Sequence, residues 1–272
     1  MKLAFSTLGC PDWGLDQIIE CAKAFGYAGV ELRGLLSEFN LVKRIEFNEK
    51  ERVESRKKFD DAGIEVACVS CSARLGLIDD KQSEAQLDDG KAHIELAALL
   101  GAKVVRVFGG NRPEELSRRD HIELVASRFR SLCEFAKSES ITVAIETHDD
   151  FCLGADIARV LENVDVENAG CVWDFHNSFR AGESIEESVK VLSKSWIAAV
   201  HAKDSLQVNG SLRHVCVGEG DVPVQPAVEL LNSLGFEGFV SFEWEKSWHN
   251  ELSQPEEVLP LFPSVMRGWG AA

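Results

Sequence analysis

The sequence predicts an α/β fold, a closed (β/α)8 TIM barrel, from its length and from a repeated alternation of helix and strand patterns. The chain has 272 residues, of which 45% are hydrophobic, and one eight-fold barrel typically needs about 250 residues. A helical pattern, a glycine and then a β-branched run recur at Gly26, Gly63, Gly101 and Gly235. No linker-like or low-complexity segment interrupts this alternation. Residues 1–272 are therefore predicted to form a single domain.

Eight short apolar runs, rich in β-branched residues, are predicted as the barrel strands. They lie at 2–7, 29–32, 64–70, 104–108, 141–146, 170–174, 197–201 and 239–243. A helical pattern follows each of the first seven, and residues 255–267 are predicted as the eighth helix. Eight such alternations are what a closed parallel barrel requires.

Four of the predicted strands end in a side chain of a type that commonly binds metal ions. These residues are Glu146, Asp174, His201 and Glu243. Side chains alternate along a strand, so each of the four shares a face with a residue two positions earlier, as Glu146 does with Ala144. If the strands lie side by side, the four side chains converge on one mouth of the barrel. Three carboxylates there would repel one another unless a cation lay among them, which predicts one divalent metal site.

The predicted ligands are mainly oxygens with one imidazole, which suits Mn²⁺, Mg²⁺ or Co²⁺, with Zn²⁺ accessible through His201. Mn²⁺ is the preferred ion. Such a site can bind a hydroxyketone through adjacent oxygens and stabilise an enediolate as the proton beside the carbonyl leaves. Glu146 and Glu243 are the predicted catalytic pair, one removing a proton and the other returning it. The alternative, that both are ligands only, stays open because ligation lowers basicity.

Other polar residues near the predicted mouth are candidate substrate contacts. Lys203 lies two residues beyond the strand-7 histidine and would hold a substrate oxygen there, and a surface salt bridge with Asp204 is an equally weighted alternative. His148 and Arg213 are candidates because they lie in the predicted loops after strands 5 and 7.

Two charged residues, Glu31 and Arg106, fall within the predicted strands 2 and 4. A charge inside a barrel strand must either be paired or contact a ligand, since a lone buried charge is costly. The sequence leaves both interpretations open.

Charge and cysteine usage restrict the partners and the compartment. The formal net charge is −16, with 29 basic against 45 acidic residues, which predicts no nucleic-acid partner. The eight cysteines lie mostly inside predicted elements, and Cys68 and Cys71 are predicted core residues, a pattern that suits a reducing cytoplasm. No apolar run reaches the roughly 18 residues of a membrane span. We expect a soluble cytoplasmic protein without a membrane partner, and a homo-oligomer stays open.

Short sequences around the strand ends resemble a known family. They read IETH at 145–148, WDFH at 173–176, RAGE at 180–183, HAKD at 201–204, GEGD at 218–221 and FEWE at 242–245. The ordered Glu, Asp, His and Glu on strands 5 to 8 resemble the xylose isomerase-like barrel superfamily, in its sugar phosphate isomerase/epimerase branch, over the whole barrel. The resemblance implies a divalent metal held by those four residues. It also implies isomerisation or epimerisation of a ketose or related polyol, a small-molecule sugar substrate, with Glu146 and Glu243 as the acid–base pair.

Members of this branch often carry a substrate-contacting histidine three residues after the strand-6 aspartate. Here that position is Asn177, a departure from the family pattern, and His176 precedes it, so both are candidate substrate contacts. DNA-repair endonuclease relatives carry further histidines on strands 3 and 4. The corresponding strand ends, 70–74 and 108–111, contain no histidine, which counts against a nuclease.

Three other functions stay open beside the sugar isomerase or epimerase. The nearest is a metal-dependent dehydratase or lyase of a keto-sugar or keto-inositol, which uses the same proton abstraction. A phosphodiester hydrolase and a non-catalytic sugar-binding barrel are favoured less. Hydride transfer and acyl chemistry lack support, because no strand is followed by a dinucleotide fingerprint and no GxSxG motif occurs.

Overall fold

Eight parallel strands close into a barrel in the computed structural model, which describes residues 1–271. The strands are β1 Lys2–Ser6, β2 Gly29–Leu32, β3 Glu65–Arg74, β4 Val104–Phe108, β5 Thr142–Glu146, β6 Ala169–Asp174, β7 Ile197–Ala202, β8 Asp204–Val208, β9 Ser211–Val215 and β10 Phe239–Phe242. The order around the barrel is β1-β2-β3-β4-β5-β6-β7-β10, while β8 and β9 form a separate hairpin. The predicted (β/α)8 barrel is confirmed.

Helices connect the barrel strands as the alternating pattern predicts. They are α1 Leu15–Phe25, α2 Arg52–Ala62, α3 Asp80–Leu100, α4 Arg118–Ala136, α5 Gly154–Val164, α6 Phe175–Arg180, α7 Ile185–Val191, α8 Val224–Ser233, α9 Pro255–Val258 and α10 Leu261–Gly268. Short 3-10 turns also occur, at Thr7–Gly9, Leu41–Lys43, Ile45–Phe47, Lys137–Glu139, Asp149–Phe151 and Lys194–Trp196. The predicted eighth helix is divided into α9 and α10 at Pro260, which has no backbone N–H to continue the helical hydrogen bonding.

The first helix shows how the sequence pattern produces the connection between two strands. One face of α1 is apolar, and its Leu15, Ile18, Ile19 and Ala22 side chains are buried. Gly26 ends the helix at a φ of 78°, and its N–H donates to the last carbonyl groups. Glycine adopts this left-handed conformation without a steric penalty, so the chain reverses there and enters β2.

The chain divides into two compact units, one made of Met1–Ala67 with the residues from Val200 onward, the other of Cys68–Ala199. In the first unit β1 pairs with β2 and with β10, so that Ala4 lies opposite both Gly29 and Ser241. In the second unit β4 pairs with β3 and β5, and β5 pairs with β6. The single domain expected over residues 1–272 stays a prediction.

Small side chains pack together inside the second unit. The cluster consists of Cys68, Val104, Ala144, Val172 and Ala199. Ala144 and Val172 precede the predicted ligands Glu146 and Asp174 by two positions, and they share one strand face with them. The observed cluster confirms the predicted alternation, in which the smaller residues of these strands face inward.

The β8–β9 hairpin is an element that the strand count did not predict. Val208 pairs with Ser211 across a two-residue turn, in which Asn209 and Gly210 have φ values of 50° and 81°. Asn-Gly is the preferred sequence for such a turn, because both central residues need positive φ. The signal was therefore present in the sequence between two short alternating runs.

All eight cysteines are free thiols, and five of them are buried. The Sγ of Cys68 lies 3.5 Å from the hydroxyl oxygen of Ser70, whereas the thiol of Cys71 donates to Asp89 at 3.1 Å. The two residues therefore have different neighbours, and both are buried as predicted. Within residues 1–271, every helix is too short or too polar to cross a membrane.

Candidate functional site

The structure brings the four predicted metal ligands together. One ligand atom each of Glu146, Asp174, His201 and Glu243 lies within 4.8 Å of the others. All four side chains are buried, with at most 5% of any of these residues exposed. Ligands of one metal ion, at roughly 2.0 to 2.6 Å from it, must lie this close. The geometry matches the prediction made from strand alternation, and the ligand role itself stays a prediction.

The ends of β5 and β6 are tied to each other beside the first two of these residues. The hydroxyl of Thr147 donates to the carbonyl oxygen of Asp174 at 3.0 Å and accepts from its N–H at 2.8 Å. The Oδ1 atom of Asp174 accepts the N–H of Asn177 at 3.0 Å and so caps α6. One carboxylate oxygen of Asp174 therefore holds the end of α6.

Arg106 forms a buried ion pair with Glu146. Its Nε lies 3.0 Å from Oε2 of Glu146, and both residues are only 1% exposed. The guanidinium also donates to the carbonyl oxygen of Cys71 at 2.9 Å and lies over the ring of Phe108, 3.9 Å from its centroid. Of the two interpretations left open for Arg106, the structure supports the paired buried charge.

Glu31 is the hydrogen-bond acceptor of His201. The Nε2 atom of His201 lies 2.9 Å from Oε2 of Glu31, and both residues are fully buried. A carboxylate at Nε2 favours the proton on that nitrogen, so the lone pair of the ring is on Nδ1. Nδ1 is the atom that faces Glu243, at 3.3 Å from its Oε1. Glu31 thus orients the imidazole by accepting a hydrogen bond from its Nε2.

Lys203 is buried between two carboxylates. Its Nζ donates to Oε2 of Glu243 and to Oε1 of Glu245, both at 2.7 Å. The carboxylate of Asp204 instead accepts hydrogen bonds from four backbone N–H groups, those of Ser205, Gly218, Gly220 and Val222. Lys203 therefore contacts one of the four candidate ligands, Glu243, and its predicted contact with a substrate oxygen stays a prediction. The contacts of Asp204 also explain the GEG turn at 218–220, because the backbone N–H groups of Gly218 and Gly220 donate to the Asp204 carboxylate.

His176 and Asn177, the two candidate substrate contacts at the start of α6, have different contacts. The side-chain amide of Asn177 donates to the carbonyl oxygen of Thr147 at 3.1 Å, so it holds the backbone at the strand end. His176 is 3% exposed, and its Nδ1 lies 3.4 Å from Oδ1 of Asn177. The substrate contacts predicted for these residues stay predictions.

His148 and Arg213 were both predicted to lie in loops at the mouth. His148 is half-buried, 2.9 Å from a carboxylate oxygen of Asp149 and 4.7 Å from the ring of Phe108 between centroids. Burial acts to raise the pKa of Asp149, but the hydrogen bond from His148 and the charges of His148 and Arg74 together outweigh it, so that pKa is lowered. Arg213 is not in a loop, because it lies exposed on β9, opposite Leu206 in the hairpin.

Comparison with known proteins identifies the family. Residues 19–261 match the model of the xylose isomerase-like TIM barrel. The chain belongs to this family. An alignment of 160 positions, which covers 55% of this chain, shows 29% identity to the uncharacterized protein MJ1311 of Methanocaldococcus jannaschii and spans 53%, about half, of that protein.

Solved structures share the fold of this xylose isomerase-like barrel over nearly the whole chain. The IOLI protein with a binding zinc atom has a TM-score of 0.85 at 18% identity, covering 100% of both chains. The probable 3-DHS dehydratase AsbF of Bacillus anthracis has a TM-score of 0.80 at 19% identity, covering 98% of this chain and 99% of that one. The 3-keto-D-glucoside 4-epimerase YcjR of E. coli has a TM-score of 0.79 at 16% identity, with the same coverage.

Proposed function

We propose that this member of the family is a divalent-metal-dependent sugar isomerase or epimerase, acting on a ketose or related polyol. The observation that carries the proposal is the buried group of three carboxylates and one imidazole, whose ligand atoms lie within 4.8 Å of one another. The buried acids Glu31, Glu146, Asp174 and Glu243 outnumber the buried cations Arg106 and Lys203, so further positive charge is needed. The similarity to sugar epimerases and to a zinc-containing protein supports the proposal.

The residues fit a divalent ion by the chemistry of their donor atoms. Glu146, Asp174 and Glu243 would supply oxygens and His201 would supply Nδ1, with Glu31 holding the ring in the required tautomer. An oxygen-rich set with one nitrogen suits Mn²⁺, the preferred ion, as well as Mg²⁺ or Co²⁺, and Zn²⁺ is compatible through His201. When bound, the ion would polarise a substrate carbonyl and an adjacent hydroxyl.

Two carboxylates would carry the proton chemistry. One of Glu146 and Glu243 accepts the proton from the carbon next to the carbonyl, and the other returns a proton to carbon. Each is held by a cation, Arg106 at 3.0 Å and Lys203 at 2.7 Å, so neither can rotate freely. Lys203, together with His148, His176, Asn177 and Arg213, is proposed to contact the sugar.

The second candidate is a dehydratase or lyase on the same site, favoured by the similarity to the probable dehydratase AsbF. It would begin with the same proton abstraction, but a β-hydroxyl would leave instead of a proton returning. The two functions therefore differ in the product and share the first step.

Turnover in deuterated water tests the proposal. Protein loaded with Mn²⁺ is offered a panel of ketoses, keto-glycosides and keto-inositols, and products are analysed by NMR and mass spectrometry. We expect deuterium at the carbon next to the carbonyl, and a decrease of turnover by about 10²- to 10⁴-fold in Glu146→Gln and Glu243→Gln. Glu65→Gln, a half-exposed surface glutamate, is the control. Loss of water from the product would select the dehydratase. Turnover without deuterium, or unchanged turnover in both variants, would refute the proposed chemistry.

Metal content tests the ligand assignment separately. Asp174→Asn and His201→Ala should lose the ion with the fold retained, because residues at this end of barrel strands serve function more than stability. Full metal occupancy in both variants would overturn the assignment.

A further inference from the structure

A second group of metal-binding side chains lies on β9 and in the segment after β10. It consists of His214, Glu245 and His249, and one ligand atom of each lies within 4.8 Å of the others. The two imidazole rings are 5.1 Å apart between centroids. The N–H of His249 donates to the carbonyl oxygen of Glu245 at 3.0 Å, which makes residues 245–249 one helical turn. Side chains four residues apart on such a turn point to the same side.

The spacing of the three side chains is that of metal ligands. Oε2 of Glu245 lies 3.6 Å from Nε2 of His214 and 3.7 Å from Nε2 of His249. These distances are too long for hydrogen bonds. Ligands at about 2.0 to 2.1 Å from a tetrahedral ion are about 3.3 to 3.4 Å apart, so these two distances exceed the spacing of metal ligands by only a few tenths of an ångström.

Neighbouring residues hold two of the three ligands by their other atoms. Lys203 binds Oε1 of Glu245 at 2.7 Å, which leaves Oε2 directed at the two imidazoles. Nδ1 of His249 lies 3.3 Å from Oε1 of Glu251, which favours the proton on Nδ1 and leaves the lone pair on Nε2. A metal-binding histidine usually donates the N–H of its other ring nitrogen to a carboxylate, which fixes the orientation of the ring.

We propose that His214, Glu245 and His249 form a second divalent-metal site, separate from the four-residue group at the strand ends. Two imidazole nitrogens and one carboxylate oxygen are a donor set for Zn²⁺ or Co²⁺ and suit Mg²⁺ or Ca²⁺ poorly. His249 is partly exposed, at 39% of its side chain, so water can fill the fourth position. Occupation of this site changes the charge beside Lys203, which also contacts Glu243.

Cobalt titration tests the site without reference to any catalytic activity. The background is the untagged chain carrying Asp174→Asn and His201→Ala, which removes the strand-end group, after metal has been removed by chelation. Co²⁺ is added while the visible d–d absorption and the bound metal are followed. We expect one equivalent with the intense bands of a tetrahedral site. Adding His214→Ala or His249→Ala should weaken binding at least about 100-fold, and Glu251→Gln about 10-fold.

His148→Ala in the same background is the matched control. This imidazole is equally exposed, at 38% of its side chain, and also lies beside a carboxylate. We expect no change in cobalt binding. The site is refuted if the background binds no Co²⁺, if the control weakens binding as much as His249→Ala does, or if both histidine variants still bind one equivalent. If the background does not fold, zinc content by equilibrium dialysis decides, and it should fall by one equivalent between the unmodified chain and His249→Ala.

Discussion

Replacement of Glu31 isolates the contribution of a residue that would not touch the metal. His201 Nε2 and Glu31 Oε2 are 2.9 Å apart and both residues are fully buried, and a hydrogen bond to an ionised carboxylate is charge-assisted. Such bonds contribute about 1.5 to 3 kcal/mol, against about 0.5 to 1.5 kcal/mol for neutral ones. Glu31→Gln keeps an acceptor but removes the charge, so it should cost about 1 to 1.5 kcal/mol. Glu31→Ala leaves the ring N–H without its acceptor and should cost about twice as much.

These free energies correspond to about a 10-fold loss of metal affinity for Glu31→Gln and about 100-fold for Glu31→Ala, the range known for second-shell partners. Affinity is measured by competition with a chelator of known strength, and circular dichroism verifies the fold. Glu65→Ala is the control, because Glu65 pairs with Lys2 at 2.6 Å on the exposed surface. If Glu31→Ala binds Mn²⁺ as tightly as the unmodified chain, the tautomer argument for His201 is wrong.

Three further predictions concern stability. Arg106→Met should lower the free energy of unfolding by about 3 to 5 kcal/mol, because it leaves Glu146 buried without its cation. The double variant Arg106→Met/Glu146→Leu should recover part of this loss, as measured by urea unfolding. Asp204→Ala removes the acceptor of four backbone N–H groups and should cost at least about 3 kcal/mol, with faster proteolysis of residues 205–222. Burial, reinforced by Arg118, lowers the pKa of His121 to about 4. As pH falls, His121 is therefore protonated in the unfolded chain before it is protonated in the folded one, so the free energy of unfolding should decrease from about pH 6.5 to about pH 4. In His121→Leu this decrease should be smaller by at least about 1 kcal/mol, measured by urea unfolding.

The barrel and the convergence of the four strand ends could be predicted because both follow from local periodicity. A period of two along each strand places Glu146 on the face of Ala144, and parallel strands bring their ends to one mouth. Asn209-Gly210 is an equally local signal, for the β8–β9 hairpin. Because this hairpin was absent from the predicted strands, Arg213 was predicted in a loop, whereas it lies on a strand.

The partners of the candidate ligands could not be predicted, because they depend on which residues far apart in sequence become neighbours. His201 and Glu31 are separated by 170 positions. A charged residue inside a strand indicated that Glu31 needed a partner, but nothing local indicated which one. Likewise, Lys203 donates hydrogen bonds to Glu243 and Glu245. The carboxylate of its sequence neighbour Asp204 instead accepts backbone N–H groups 14 to 18 residues away.

The hydroxyl of Thr147 has a consequence for how fast a metal ion enters. By bonding both backbone groups of Asp174, it ties together the ends of β5 and β6, the two strands that carry Glu146 and Asp174. An ion that binds there would need no movement of these strand ends. The slow step would then be the loss of the ion's own water molecules, which Mg²⁺ gives up reluctantly. Among ions that bind equally well at equilibrium, loading would be ordered by the lability of their hydration shells.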